Sequence, residues 1–323
     1  MMRFGRLATY LFMLLVTLGT ASAQNAGGHL VLTTLQATYS ITSVLAAGTQ
    51  IRVVNVPPQG AVMESQAFAL TRVDDAVFKQ AEAVVSISKL WRDDPLYAAA
   101  RARNLRIINI DASFPWNPIE AGVGVMRKPV NNVPWATQVE ESDAGLSRFI
   151  WLSSTNAIRM AELVAIDLAR LSPEDAQRIQ TNLKSFSLST RQTSAEYGAQ
   201  FAALPDPRVF SLADEFVYLL SDIGIYVEGW FIKQDVNWTD ADCAALTAYL
   251  KSHGIHLVVH KWDPDAKIKA AISKAGAQLV VLDAGDPGVA ASSGALPVLG
   301  YQSLMRANMD NLLAGFAAAE TTH

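Results

Sequence analysis

The chain has one cysteine, Cys243, in 323 residues. An intramolecular disulfide is therefore impossible, and a metal site built from several thiolates is excluded. Cys243 falls in the apolar-periodic stretch Ala241 to Leu250, where a buried structural thiol is expected. Charge is also sparse. Asp, Glu, Lys and Arg make up 17% of the residues and the net charge is -4, so the chain lacks the basic footprint that nucleic-acid binding requires. It has no phosphate-binding glycine loop, no Gly-x-Ser-x-Gly nucleophile turn and no His-Glu-x-x-His helix. Neither an enzyme nor a bound cofactor is expected. Past the N-terminus no apolar run approaches the ~20 residues needed to span a bilayer, so the protein is not expected to be membrane-embedded.

The N-terminus reads as a secretory signal. Arg3 and Arg6 form a positive region, Leu7 to Leu18 is apolar and uncharged, and Ala21-Ser22-Ala23 places small residues before Gln24. No cysteine follows the apolar run, so no lipid anchor is expected at this point. Residues 1–23 are expected to be cleaved, leaving an exported, soluble chain. Half of all residues are hydrophobic, as in a well-buried globular protein. The remaining ~300 residues exceed what one hydrophobic core usually supports, which predicts two lobes.

Short β-like runs alternate with helical patterns, the signature of parallel sheets covered by helices. In the first half the strands are His29 to Thr34, Ile51 to Val56, Ala83 to Ile87 and Leu105 to Ile110. Helices are expected over Tyr39 to Ala47, Leu70 to Gln80 and Pro95 to Arg103. Asp111 to Ser147 carries four prolines and has no clear period. Ser154 to Leu171 is a helix, and Ser172-Pro173-Glu174-Asp175 is a start signal for the next. That helix is expected to run to about Leu204; thirty residues would span roughly 45 Å, enough to bridge two lobes. In the second half, helices are expected over Ala213 to Ile223, from the Thr239 cap to Ser252, from Asp263-Pro264 to Gly276, and over Ser303 to Ala319. The strands are Ile225 to Phe231, Ile255 to Val259 and Leu279 to Leu282. The expected division is a signal over 1–23, an N-terminal lobe over 28–171, a connecting helix over 172–204 and a C-terminal lobe over 205–323.

The histidines form no metal motif. His256 and His260 are separated by the strand-like Leu257-Val258-Val259, which would place them ~13 Å apart, too far for one ion. His260 ends its strand, a position suited to a hydrogen-bonded residue near a crevice. His253 reads as the end of a helix, and His29 and His323 read as solvated residues near the chain ends. Asp214 and Glu215 are expected in the first turn of a helix, where they would favour its dipole. Trp116, Trp135, Trp151 and Trp230 are read as packing residues or as an aromatic lining for an organic solute.

Several segments, taken in order, resemble the zinc/manganese-type periplasmic solute-binding proteins that feed ABC importers. They are Val56-Pro57-Pro58-Gln59-Gly60, Ala81-Glu82-Ala83-Val84-Val85, Phe149-Ile150-Trp151-Leu152 with Asn156-Ala157, Ala213-Asp214-Glu215-Phe216-Val217-Tyr218 with Gly224, and Leu282-Asp283. Tyr301, Met305, Asn308 and Leu312 fit the family's C-terminal helix, so the resemblance covers most of residues 29–318. It implies an α/β fold of two Rossmann-like lobes with parallel sheets, bridged by a long rigid helix that keeps closure small. It also implies a monomer in the periplasm that hands its cargo to an ABC-type permease. Where the family places metal-binding histidines, this chain has Phe149 and Ala213, which offer no lone pair. In the first loop, counting from one side reaches Gln66 and from the other Met63 or Glu64. Asp283 matches the family's late carboxylate, although Asp283-Ala284-Gly285-Asp286 also reads as a capped turn. The expected ligands for a divalent metal cargo are therefore Asp283, Glu64 and Gln66. A metal chelate is the other cargo considered, and an accessory protein that kept the scaffold but lost the metal site is the alternative function.

Overall fold

A computed structural model describes residues 28–56, 62–136, 145–286 and 300–321. The expected signal at 1–23, the Pro57 to Gly60 segment and His323 lie outside the described residues. The first lobe runs β1 (Leu30–Thr33), α1 (Gln36–Leu45), β2 (Arg52–Asn55), a 3-10 turn at Met63–Ser65, α2 (Gln66–Leu70), α3 (Asp75–Gln80), β3 (Ala83–Ser86), α4 (Pro95–Arg101) and β4 (Ile108–Asp111). A long connection then reaches a 3-10 turn at Ile150–Leu152, followed by α5 (Ser154–Leu171) and α6 (Ala176–Ala202). The second lobe runs β5 (Arg208–Ser211), α7 (Val217–Asp222), β6 (Tyr226–Trp230), α8 (Asp240–His253), β7 (Leu257–His260), α9 (Ala266–Ala275), β8 (Gln278–Val281) and α10 (Gly300–Glu320).

Each lobe is built on a four-stranded parallel sheet, in the orders β2-β1-β3-β4 and β6-β5-β7-β8. The two orders are the same topology repeated. Strands β1, β3 and β7 are buried throughout, as expected of apolar runs covered on both faces by helices. In both sheets the strand order reverses beside the first strand of the lobe. The crevice for a ligand in such sheets lies outside the carboxyl ends of the strands at that point.

Local signals set the helix ends. Ser153 accepts the Asn156 N–H at the start of α5, and Thr239 with Asp242 forms a capping box on α8. The helix expected over Leu70 to Gln80 begins only at Asp75, after α2 has ended at Leu70. The chain turns at Thr71 to Asp74, where Asp74 takes the Ala76 N–H and restarts the helix as α3. The helix expected from Ala213 begins only at Val217. Ser211 Oγ donates to the Ala213 carbonyl at 2.7 Å, and this local bond holds residues 211–213 out of the helix.

Helix α6 has 27 residues, a length of about 40 Å, and ties both lobes. In its N-terminal half, Asn182 donates to the carbonyls of Leu45 and Ala47 at 2.9 Å. Further along, Tyr197 bonds Asp310 at 2.5 Å, and Arg306 of α10 bonds Thr193 at 2.8 Å. The main hydrophobic cluster is continuous across the lobes: Val31 and Ile41 belong to it, as do Phe216, Val259 and Leu312. The connection after β4 crosses to the second sheet as well. Asn132 accepts the Trp230 N–H at 2.7 Å and donates its own N–H to the Trp230 carbonyl, while Asn131 accepts the Ile232 N–H at 2.6 Å. These amides cover the end of β6, an edge strand.

His29 is not the solvated residue expected. Its Nδ1 lies 2.8 Å from Glu82 and its Nε2 3.6 Å from Glu174, which joins the start of β1 to the approach of α6. The Glu82 hydrogen bond raises its pKa above the ordinary histidine value. Cys243 is half-buried against the smaller cluster of the second lobe.

Candidate functional site

The carboxyl ends of the two sheets face each other. The Met63 N–H, in the turn after β2, donates to Asp286 Oδ2 after β8 at 3.1 Å. Trp151 Nε1, in the turn before α5, donates to the Ala284 carbonyl at 2.8 Å. Lys128, from the connection after β4, pairs with Asp214 after β5 at 2.7 Å. The crevice between these chain segments is the candidate site.

The expected ligands and the two histidine positions fall on these segments or next to them, in different roles. Ala213 is 2% exposed, on the turn after β5. Phe149 packs edge-on against Trp151 with ring centres 5.4 Å apart. Both are apolar walls. Gln66 opens α2 and is 0% exposed; its Nε2 donates to the Thr34 carbonyl at 3.2 Å, and its Oε1 has no hydrogen-bond partner. Glu64, in the Met63–Ser65 turn, is exposed. Asp283 Oδ1 accepts the Gly285 N–H at 2.7 Å, so the capped-turn reading of this carboxylate is realised. Its backbone is clamped from both sides by Asn308 of α10, whose Oδ1 accepts the Asp283 N–H at 2.8 Å and whose Nδ2 donates to the Asp283 carbonyl at 2.7 Å. Gly285 needs its missing side chain here: its φ is 70° and a Cβ would stand 2.8 Å from Leu304 and 3.1 Å from Trp151 Nε1.

Four side chains beside this crevice were given no site role from the sequence. Asp286 is the first. Burial pushes its carboxyl up to about 7, the charges of Glu64 and Glu215 push the same way, and the Met63 N–H and Lys261 oppose them. Lys261, just after β7, forms an ion pair with Glu215. Lys128 does the same for Asp214, and Asn308 holds the Asp283 backbone. Only Asp286 had a local signal, an acid three residues beyond Asp283. The acid pair Asp214 and Glu215 does not sit in a helical first turn, because α7 starts after it; both acids are held by lysines from distant segments. Glu215 is 4% exposed, and burial followed by the neighbouring Asp214 charge raises its pKa despite Lys261. Burial likewise raises Asp283.

His260 ends β7 and is buried. Its Nδ1 accepts the Lys261 N–H at 2.7 Å, which places the ring proton on Nε2, 3.5 Å from Asp235 Oδ1. Burial holds its pKa below the usual value. Both nitrogens are thus engaged or protonated, and neither offers a lone pair to a metal. Of the tryptophans, Trp151 and Trp135 are packed in the two cores, Trp230 is half-buried, and Trp116 is 63% exposed with Lys89 over its ring. They do not form a continuous aromatic lining.

The arrangement has several oxygen donors, two ammonium groups and no free imidazole. Among the described residues, no three His, Cys, Asp or Glu side chains are grouped so as to hold a metal ion. Also among the described residues, no helix is long and apolar enough to cross a membrane.

Residues 31–315 match the profile of the family described as zinc-uptake complex component A, periplasmic. No curated protein matches the chain. Among solved structures, a mutant of FpvC from Pseudomonas aeruginosa aligns with a TM-score of 0.70 at 18% identity, covering 90% of this chain and 99% of that one. A periplasmic metal binding protein from Candidatus Liberibacter asiaticus aligns with a TM-score of 0.67 at 17% identity, covering 89% and 99%. FpvC in complex with Mn2+ aligns with a TM-score of 0.66 at 18% identity, covering 90% and 99%. At these identities the structural likeness establishes the fold.

Proposed function

The chain belongs to the family of the periplasmic zinc-uptake complex component A, and from that premise we propose that it is the periplasmic solute-binding component of a metal-type ABC import system. It captures its cargo between the lobes and presents the loaded form to a membrane permease. Its cargo site is an altered, oxygen-based one. Asp283 and Asp286 follow β8, and Glu64 and the Gln66 Oε1 approach from the first lobe. Oxygen donors of this kind suit manganese or a similarly hard divalent ion better than a soft one. The observation that carries this reading is the Asp286–Met63 hydrogen bond, which brings a half-buried carboxylate against the turn that bears Glu64. A cation arriving there takes the place of the proton that Asp286 holds near neutral pH.

A second reading is favoured by a different observation. The histidine positions are Phe149 and Ala213, and Asp214 and Glu215 are already matched by Lys128 and Lys261. That pattern supports a periplasmic accessory protein that kept the scaffold without the metal site, or a component whose cargo is a metal chelate. Thermal unfolding of the chelator-stripped protein against a panel of divalent metals separates these. A metal at one hundred times its Kd stabilises by about 2.7 kcal/mol, and each kcal/mol moves the Tm of a chain this size by roughly 2–4 °C. A selective shift that disappears in Asp283→Ala or Asp286→Asn is the expected result. No shift with any divalent metal refutes the free-metal cargo and leaves the accessory and chelate readings.

A further inference from the structure

Two segments of the connection after β4 pair as a short antiparallel ribbon at the lobe junction. Arg127 stands opposite Leu146, the Lys128 N–H donates to the Gly145 carbonyl at 3.0 Å, and the Ser147 N–H donates to the Met126 carbonyl at 2.9 Å. The Tyr218 hydroxyl of the second lobe bridges the end of the ribbon. It accepts the Met126 N–H at 2.8 Å and donates to the Ser147 carbonyl at 3.3 Å. Alternation along the ribbon puts Met126, Lys128 and Ser147 on its inner face, where Lys128 meets Asp214. The outer face then carries Val125, Arg127, Leu146 and Arg148. Val125 and Leu146 are 44% and 45% exposed. Arg127 is exposed and Arg148 half-buried, and neither guanidinium has a carboxylate partner among the described residues. Arg148 has a seat instead: its guanidinium carbon lies 5.4 Å from the centre of the Trp91 ring, in the turn after β3. Trp91 is 5% exposed, and its Nε1 is a buried donor with no hydrogen-bond partner. A guanidinium held against an aromatic ring keeps its fork oriented and loses less freedom when it takes a carboxylate through two parallel bonds.

We propose that this outer face of the ribbon binds a small organic anion bearing two or more carboxylates, with Arg148 taking one carboxylate and Arg127 another. Val125 and Leu146 beside them suit a carbon skeleton better than inorganic phosphate. The site borders the candidate crevice, because Phe149 follows Arg148 and packs against Trp151. It asks for no metal ligand from the protein. The anion is taken free or as the chelator around a metal ion, and both present the same carboxylates. Only the second case rests on the chelate reading of the cargo.

Isothermal titration of the metal-free protein with citrate, succinate, Mn2+–citrate, Mn2+ alone and inorganic phosphate tests this. At least one of the carboxylate probes is expected to bind. Arg148→Gln is expected to weaken that binding by at least about 10-fold, the worth of one charge-assisted bidentate contact. Arg148→Lys keeps the charge without the fork and is expected to weaken it as well. Arg127→Gln, at an exposed position, is expected to weaken it while leaving the thermal unfolding of the protein unchanged, so a failure of the Arg148 variants to fold still leaves a decisive measurement. Binding of citrate or succinate without metal supports a free-anion ligand. Binding of Mn2+–citrate, but of neither citrate nor Mn2+ alone, supports the site and makes the chelate its ligand. No binding of any carboxylate probe overturns the inference and leaves the metal-cargo reading to its own test. Binding that survives in folded Arg127 and Arg148 variants overturns it too, as does phosphate binding as tightly as the carboxylates.

Discussion

Near neutral pH the Asp286 carboxyl sits between its two protonation states, and this has a definite sign for stability. Its pKa in the folded chain is about 7, raised from 3.8. The folded state therefore holds a proton that the unfolded state has lost, and stability is greatest below about 4 and falls as pH rises to about 7. Asp94, a buried cap of α4 raised to about 6, acts in the same direction. His260, whose pKa is lowered, acts in the opposite direction, its contribution falling away as the pH drops below 6.5. In chelator, urea unfolding at pH 5 and pH 8 should show Asp286→Asn losing less stability across that interval than the wild type, by a few kcal/mol at most. If the crevice binds a cation through Asp286, its affinity should rise over the same interval, with up to one proton released per ion in titrations in buffers of different ionisation heat. How far single residues were legible followed from how local their partners are. Asp283, Glu64 and Gln66, and the lone-pair-free Phe149 and Ala213, were placed by motif order alone. Lys128 and Lys261 were not, since their acids lie 86 and 46 positions away in the chain. Nothing in a linear sequence announces such a pair.

Elements were easiest to read where a side chain bonds its own neighbourhood. The Thr239 start of α8 was evident because cap and helix are contiguous, and the structure adds Asp242 as the reciprocal partner. Thr239→Ala should lower stability by about 1 kcal/mol, read as a shift in urea midpoint with an unchanged slope. The start of α7 was misplaced because the apolar spacing from Ala213 is helical, while the Ser211 hydroxyl and the distant lysines claim those residues for a turn. The Asn308 clamp shows the same limit from the other side. Its helix was visible, but its grip on the strand end was not. Asn308→Ala removes two hydrogen bonds from a buried position and leaves the Asp283 N–H and carbonyl unmet, a loss of about 2–4 kcal/mol by urea unfolding. The same variant should weaken any metal binding that depends on Asp283, since the carboxylate loses its fixed backbone.

At the scale of the molecule, alternation of strand and helix was sufficient to anticipate two parallel sheets, because each lobe repeats one topology. The mutual docking of the lobes was not legible: it depends on contacts such as Met63 to Asp286, spanning 223 positions. The apolar cluster that runs through both lobes, with α6 along it, predicts one calorimetric transition rather than two, with van't Hoff and calorimetric enthalpies in agreement. Trp151, fully buried in that cluster and bonded to Ala284, lies at the junction; Trp151→Ala should lower stability by about 3–5 kcal/mol while the transition stays single. Small-angle scattering should show little change in radius of gyration on loading with cargo. The amides of Asn131 and Asn132 have a consequence outside the binding cycle. A parallel sheet ends in a row of unpaired peptide groups, which a stray strand from another molecule can extend. By occupying that row at the end of β6 with its own side chains, this chain denies a template to its neighbours. A chain that folds among other unfolded chains gains from closing that edge as soon as the connection docks.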